Sequence, residues 1–220
     1  MIETMPAELA ENLIDFCENR DRVYALLSRC YETEIDAAFA EALAGEAALA
    51  SDDAGLAAGF AALQADLADC DEDALEQLAV VFDRAFFGMN AHRSEGLPYE
   101  SVYTSEGGLM MQRLRGVLHV YRGAASRRTR LQGRRYHWWS WPSWRFCAGA
   151  PWSARAGDRR GPEAQLRAQR EFLSDHLLNW IDRFTADVRK AAEDGFYFDL
   201  ATFTEGFLTA DAAELAEVLG

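Results

Sequence analysis

The side chains able to do acid–base or metal chemistry are few and scattered. The chain has four histidines, His92, His119, His137 and His176, and four cysteines, Cys17, Cys30, Cys70 and Cys147. No CxxC pair and no HExxH helix motif occurs, so the spacing of a metal or redox centre is missing. Cys17, Cys30 and Cys70 fall in helical-looking segments, where a free cysteine ordinarily serves as a small core residue. Glu100 and Glu106 could suggest paired-carboxylate chemistry, but no nucleophile with a partnered base accompanies them. No GxxxxGK[ST] string is present to cradle phosphate. The expectation is a protein that is not an enzyme, with no catalytic residues, no metal and no cofactor. The richest local string is Leu97-Pro98-Tyr99-Glu100-Ser101-Val102-Tyr103, and its chemistry is that of binding. Two rings offer apolar area with a polar tip, and a carboxylate and a hydroxyl lie between them. Tyr99, Glu100, Ser101 and Tyr103 are therefore candidate partner contacts on a loop. The same residues also suit a structural role, with the tyrosines pinning the loop and Glu100 capping the next helix. His176 and Trp180, one helical turn apart, could line a groove or pair within the core. Met110-Met111 could be adaptable binding surface or core filling.

The elements that must position these residues read as helices throughout. Residues 7–31 form an amphipathic pattern, with Leu9, Leu13, Phe16, Val23, Leu27 and Tyr31 at spacings of three, four or seven. Pro6 suits the first turn. Residues 34–44 and 55–69 are rich in Ala and Leu, with Gly45 as a stop. Asp71 is placed to cap a helix over 72–87 with an apolar stripe of Leu75, Leu78, Phe82 and Phe86. Gly96, Pro98 and the Ser/Asn content make 88–106 a loop. A helix resumes near Leu109 and runs to about Arg122. Residues 163–193 give the longest helix, with Leu166, Leu173, Leu177, Trp180, Phe184 and Val188 on one face and Gly195 after its end. Residues 197–208 and 211–219 close the chain, with Asp211 and Glu214 in capping-box spacing. No strand alternation appears. The expected fold class is all-α, a single-domain bundle over 1–220.

Composition narrows the partners. Half of the 220 residues are hydrophobic, enough for a sizeable core. No run of about 18 apolar residues exists, so no membrane span is expected. The start, Met1-Ile2-Glu3-Thr4-Met5-Pro6, lacks the positive charge of a secretory signal, which predicts a cytoplasmic protein. The net charge is −14, unevenly spread. Arg113 to Arg160 holds twelve arginines and one acid, whereas the rest holds ten basic and 35 acidic residues. The acidic body repels nucleic acid and anionic membrane and attracts basic partners.

The string Pro98-Tyr99-Glu100-Ser101-Val102-Tyr103, following a helix that ends Phe86-Phe87-Gly88, resembles the TorD/DmsD family of molybdoenzyme maturation chaperones. The late segment is similar too: Gln169-Arg170-Glu171-Phe172-Leu173, then His176-Leu177, Trp180 and Phe184, and the closing Phe196-Tyr197 and Gly206-Phe207-Leu208. The likeness covers residues 7–122 and 163–219. It implies a TorD-like bundle of a dozen or so short helices. It further implies that the partners are the catalytic subunit of a molybdenum-cofactor reductase and its twin-arginine signal peptide, held in the cytoplasm until the cofactor is inserted. Acidic rim residues would steer the arginines of such a peptide, and an apolar groove would take its middle. One departure stands out. The family's Pro-x-Asp-His hinge string is absent, and Asp175-His176 lies inside the late helix instead.

Residues 123–160 are unlike the rest. Five of the six tryptophans fall between 138 and 152, and Tyr136-His137-Trp138-Trp139-Ser140-Trp141-Pro142-Ser143-Trp144 has neither helical nor strand period. Three origins are open: an insertion, a basic aromatic segment that would make the chain an RNA-associated protein through stacking and phosphate contacts, or a local frameshift. The genetic code bears on the last. When the third base of each codon from His137 to Phe146 is read with the first two of the next, His-Trp forces Leu, Trp-Trp forces Val, Trp-Pro forces Ala and Phe-Cys forces Leu. The remaining junctions permit Glu, Leu, Phe, Met and Ala, so the allowed string is Leu-Val-Glu-Leu-Ala-Phe-Met-Ala-Phe-Leu, an amphipathic helix similar to the family's helix after its hinge. Each Leu, Phe or Met that such a helix buries is worth about 1.5–3 kcal/mol, large beside a total stability of about 5–15 kcal/mol. Resequencing the gene should find a base gained or lost near codon 123 and compensated before codon 163, and the chain with its frame restored should melt at a higher temperature. An intact frame, with cooperative melting of the written chain at ordinary temperatures, would exclude the frameshift.

Overall fold

A computed structural model describes residues 7–49, 51–87, 100–104 and 162–220. The Arg/Trp-rich stretch 123–160, the expected helix 109–122, Tyr99 and Met110-Met111 lie outside the described residues. Among those described, all regular structure is helical: α1 (Ala7–Glu32), α2 (Ala37–Ala44), α3 (Ala54–Leu67), α4 (Glu72–Phe82), α5 (Glu100–Thr104), α6 (Pro162–His176), α7 (Ile181–Ala192) and α8 (Phe196–Leu219). A π-helical turn, Asp83–Phe87, extends α4. The all-α expectation holds, and none of these helices is long and apolar enough to cross a membrane.

Aspartates start three of the helices. Asp36 accepts from the Phe39 amide at 2.8 Å, Asp53 from those of Gly55 and Leu56 at 2.7 and 3.1 Å, and Asp71 from that of Ala74 at 2.9 Å. Each satisfies amides that the first turn leaves without a partner, and each places negative charge at the positive end of the helix. Cys17 and Cys30 are buried, as expected of core cysteines.

α8 is the hub. It packs against α7, α3, α6, α1 and α4, and it buries residues around most of its circumference, from Phe196 and Tyr197 to Leu215. α3 approaches it closely at Gly59, where an added Cβ would stand 3.2 Å from the Phe203 ring. Tyr31 of α1, Phe82 and Phe86, Phe184 of α7 and Tyr197 of α8 form one aromatic cluster with ring centroids 5.0–6.4 Å apart, mostly edge-to-face.

Three expectations need correction. The 163–193 segment is not one helix; it breaks at Leu177–Trp180 into α6 and α7. Residues 197–219 are not two helices but one, and Asp211 caps nothing. Asp211 is 1% exposed in mid-helix, where its carboxylate takes the fork of the buried Arg20 guanidinium, through Nε and through Nη2 at 3.0 Å. Arg20 also donates to Gln169 of α6 at 2.7 Å, and Tyr24 donates to Asp211 at 2.7 Å. The need to pair a buried charge overrides the local capping pattern. Third, the loop expected over 88–106 contains α5, which is too short for periodicity to reveal and is held by contacts distant in sequence.

Two outcomes follow. Asp211→Ala leaves Arg20 buried without its counter-charge and should cost about 3–5 kcal/mol in urea unfolding, whereas Arg20→Met with Asp211→Leu should recover most of that loss; a single variant within about 1 kcal/mol of the parent contradicts the pairing. The second concerns Asp66 of α3, whose carboxyl is pushed up to about 6 by desolvation and then by the charge and hydrogen bond of Asp199, with Asp194 adding to this. A raised carboxyl favours the folded state when protonated, so this contribution is present below the ordinary Asp range and is lost as pH rises through about 6. Asp66→Asn should remove that part of the pH dependence of Tm.

Candidate functional site

The site begins with the break between α6 and α7. The amides of Leu177 and Leu178 both donate to the Leu173 carbonyl, at 3.1 and 2.9 Å, and the second bond is one residue wider than an α-helical bond. The Trp180 amide then turns back to the Leu177 carbonyl at 3.2 Å. This elbow deprives carbonyls at the end of α6 of their usual amides. Side chains take over: Asn179 Nδ2 donates to the Asp175 carbonyl at 2.6 Å, and the Trp180 indole N–H donates to that of His176, also at 2.6 Å. Trp180 is 1% exposed, and its ring meets Phe184 edge-to-face at 5.4 Å. The elbow is therefore anchored in the core by the residue that makes it.

α5 docks on this elbow. The Tyr103 ring stacks on Trp180 with centroids 5.5 Å apart and planes 16° from parallel. Its hydroxyl donates to Asp187 Oδ2 of α7 at 3.1 Å. Burial, and then the nearby Asp187 carboxylate, push the Tyr103 hydroxyl up, which keeps it a donor. Arg183 of α7 holds the C-terminal end of α5 by donating to the Tyr103 carbonyl, and it also donates to the Asn179 carbonyl at 2.9 Å. At the other end, Glu100 Oε2 lies 3.2 Å from His176 Nδ1 and Glu100 Oε1 accepts from Asn179 Nδ2 at 3.3 Å. The Glu100 and His176 side chains are 13% and 22% exposed, at the edge of the cluster. Thr104 closes α5 by donating to the Glu100 carbonyl at 2.6 Å.

Glu100, Tyr103, His176 and Trp180, chosen from the sequence, thus meet in one place, and Ser101 lies on the same short helix. The sequence reading missed Asn179, Arg183 and Asp187. Their signal was present: His176, Asn179, Arg183 and Asp187 recur at spacings of three or four beside the apolar row Leu177, Trp180, Phe184 and Val188. The cluster offers stacking, a carboxylate at its rim and a guanidinium within it, which is docking chemistry.

Comparison with known proteins agrees with these motifs. A family model described as nitrate reductase delta subunit matches residues 49–129, a span that includes Phe86-Phe87-Gly88 and the Pro98–Tyr103 string. The chaperone protein TorD of Photobacterium profundum is 28% identical over 155 residues, an alignment covering 66% of this chain and 66% of the relative. The match thus spans just under two thirds of the relative's length. No solved structure matches. Both matches agree with the resemblance to the TorD/DmsD chaperone family that the motifs carry.

Proposed function

We propose that this protein is a maturation chaperone that binds the twin-arginine signal peptide of a molybdenum-cofactor reductase and keeps the catalytic subunit in the cytoplasm until its cofactor is inserted. The observation that carries this reading is the convergence of Glu100, Tyr103, His176 and Trp180 on a single elbow, where side chains hold α5. An element docked in this way can adjust to a ligand at small cost. The acidic body supports the same reading, because it attracts a peptide with a basic start. Glu100, at the rim, is suited to meet a guanidinium, with Tyr103 and the surface around α5 beside the apolar part.

Calorimetry with a synthetic twin-arginine signal peptide tests this. The folded chain should bind it, and replacing both peptide arginines by glutamine should weaken binding. Glu100→Ala should lower affinity about tenfold, the size of one charge contact worth about 1.4 kcal/mol, with little change in Tm. Tyr103→Ala should lower affinity and Tm together because it strips the face of Trp180, while Tyr103→Phe, which keeps the stack, should retain most of both. No binding of any such peptide by folded protein would overturn the proposal. If Glu100→Ala and Tyr103→Ala merely unfold the chain, α5 has a structural role alone.

A further inference from the structure

Asp187 of α7 carries a half-buried carboxylate beside the Tyr103–Trp180 stack. Trp180, Arg183 and Asp187 follow one another at spacings of three and four, which places them on one face at the start of α7. All three engage Tyr103: Trp180 meets its ring, Arg183 its carbonyl, and Asp187 its hydroxyl, through Oδ2 at 3.1 Å. The guanidiniums of the same helix are turned elsewhere. Arg183 is one turn from Asp187, yet it donates to the Tyr103 and Asn179 carbonyls and lies 4.0 Å from Asp182. Arg189 pairs with Glu205 at 2.9 Å. Among the described residues, the Asp187 carboxylate therefore has one hydrogen bond, from a neutral hydroxyl, and no ion pair. A carboxylate drawn partly out of water without a counter-charge is held at a cost in free energy that a matching cation offsets. A carboxylate accepts several hydrogen bonds, so the one from Tyr103 leaves capacity for the N–H groups of a guanidinium.

We propose that Asp187 is a specificity-determining residue of the peptide site: its carboxylate takes one of the two guanidiniums of a twin-arginine peptide, and the Tyr103 hydroxyl holds it in orientation for that contact. The inference rests on the reading of this cluster as the peptide site. The half-buried Tyr103 ring lies next to the carboxylate. A flat, weakly hydrated guanidinium can lie along such a ring while its N–H fork meets the carboxylate, whereas the compact, strongly hydrated ammonium of lysine gains less from both. The site thus selects arginine over lysine, and does not respond to positive charge alone.

The test is a double-mutant cycle, read by fluorescence anisotropy of labelled peptides titrated with the full chain. Asp187→Asn removes the charge and keeps an acceptor for the Tyr103 hydroxyl. It should lower affinity for the twin-arginine peptide about fivefold, the upper end for a charge contact open to water, with Tm unchanged. For one of the two peptides in which a single arginine is replaced by glutamine, the same variant should change affinity less than about twofold. Lysine in place of that arginine should weaken binding to the parent about as much as Asp187→Asn does, and Asp187→Glu should restore most of the affinity. Glu163→Gln, the same change of charge at an exposed position of α6, should leave affinity as it is and so separates a local contact from the field of the acidic body. Asp187→Ser takes the place of Asp187→Asn in the cycle if Asn disturbs the fold. An equal loss for every peptide means that Asp187 only places α5, and no loss for any peptide means that it takes no part; either result overturns this inference and leaves the proposed function standing. A parent chain that binds none of the peptides overturns both.

Discussion

A guanidinium taken out of water ties three helices together, and it must stay paired. Arg20 is 3% exposed, and its fork is filled by both oxygens of Asp211, with Gln169 and Tyr24 completing the network. Such a pair adds little net stability over a well-packed apolar substitute, since desolvation offsets much of its attraction. The network joins α1 to α8 and brings α6 to the same point. Tyr31 bonding Thr204 at 2.9 Å joins α1 to α8 again further along. Once α6 is placed, so is the elbow at its end.

From that anchor the structure runs outward in decreasing order of burial. Tyr31, Phe86 and Phe184 are core, Trp180 is core with its indole N–H spent on the elbow, and Tyr103 is half-buried against Trp180. Glu100 and His176 stand at the rim. A continuous aromatic path therefore links the rigid bundle to the candidate partner contacts. α5 makes no helix of a length that would persist alone; its place is set by Trp180, Asp187, Arg183 and Glu100's partners. This arrangement suits recognition, in which the scaffold supplies rigidity and a short docked element supplies adjustable contact.

Much of this was legible in the sequence because it rests on local chemistry. The apolar period of α1, the aspartate before α4 and the Phe86 and Phe184 positions are set by residues near one another in the chain. The string around Glu100 and Tyr103 stood out because it resembles the loop of the TorD/DmsD chaperones and sets two rings beside a carboxylate and a hydroxyl. The failures share one cause, which is that contacts distant in sequence override local preference. Asp211 and Glu214 have capping spacing, yet Arg20, 191 residues away, claims the carboxylate. The residues around 177–180 have helical period, yet Trp180 and Asn179 redirect their donors to carbonyls and open the helix. α5 is five residues long and leaves no periodic trace.

Capture of a basic peptide where α5 meets the α6–α7 elbow is tested most directly by hydrogen–deuterium exchange of the full chain with and without a twin-arginine signal peptide. Exchange should slow in the fragments covering Glu100–Thr104 and residues 176–183, with the α1–α8 contact around Arg20 and Asp211 unchanged. Protection confined to other helices, with the α5 and elbow amides exchanging as in the free protein, would contradict capture at this site.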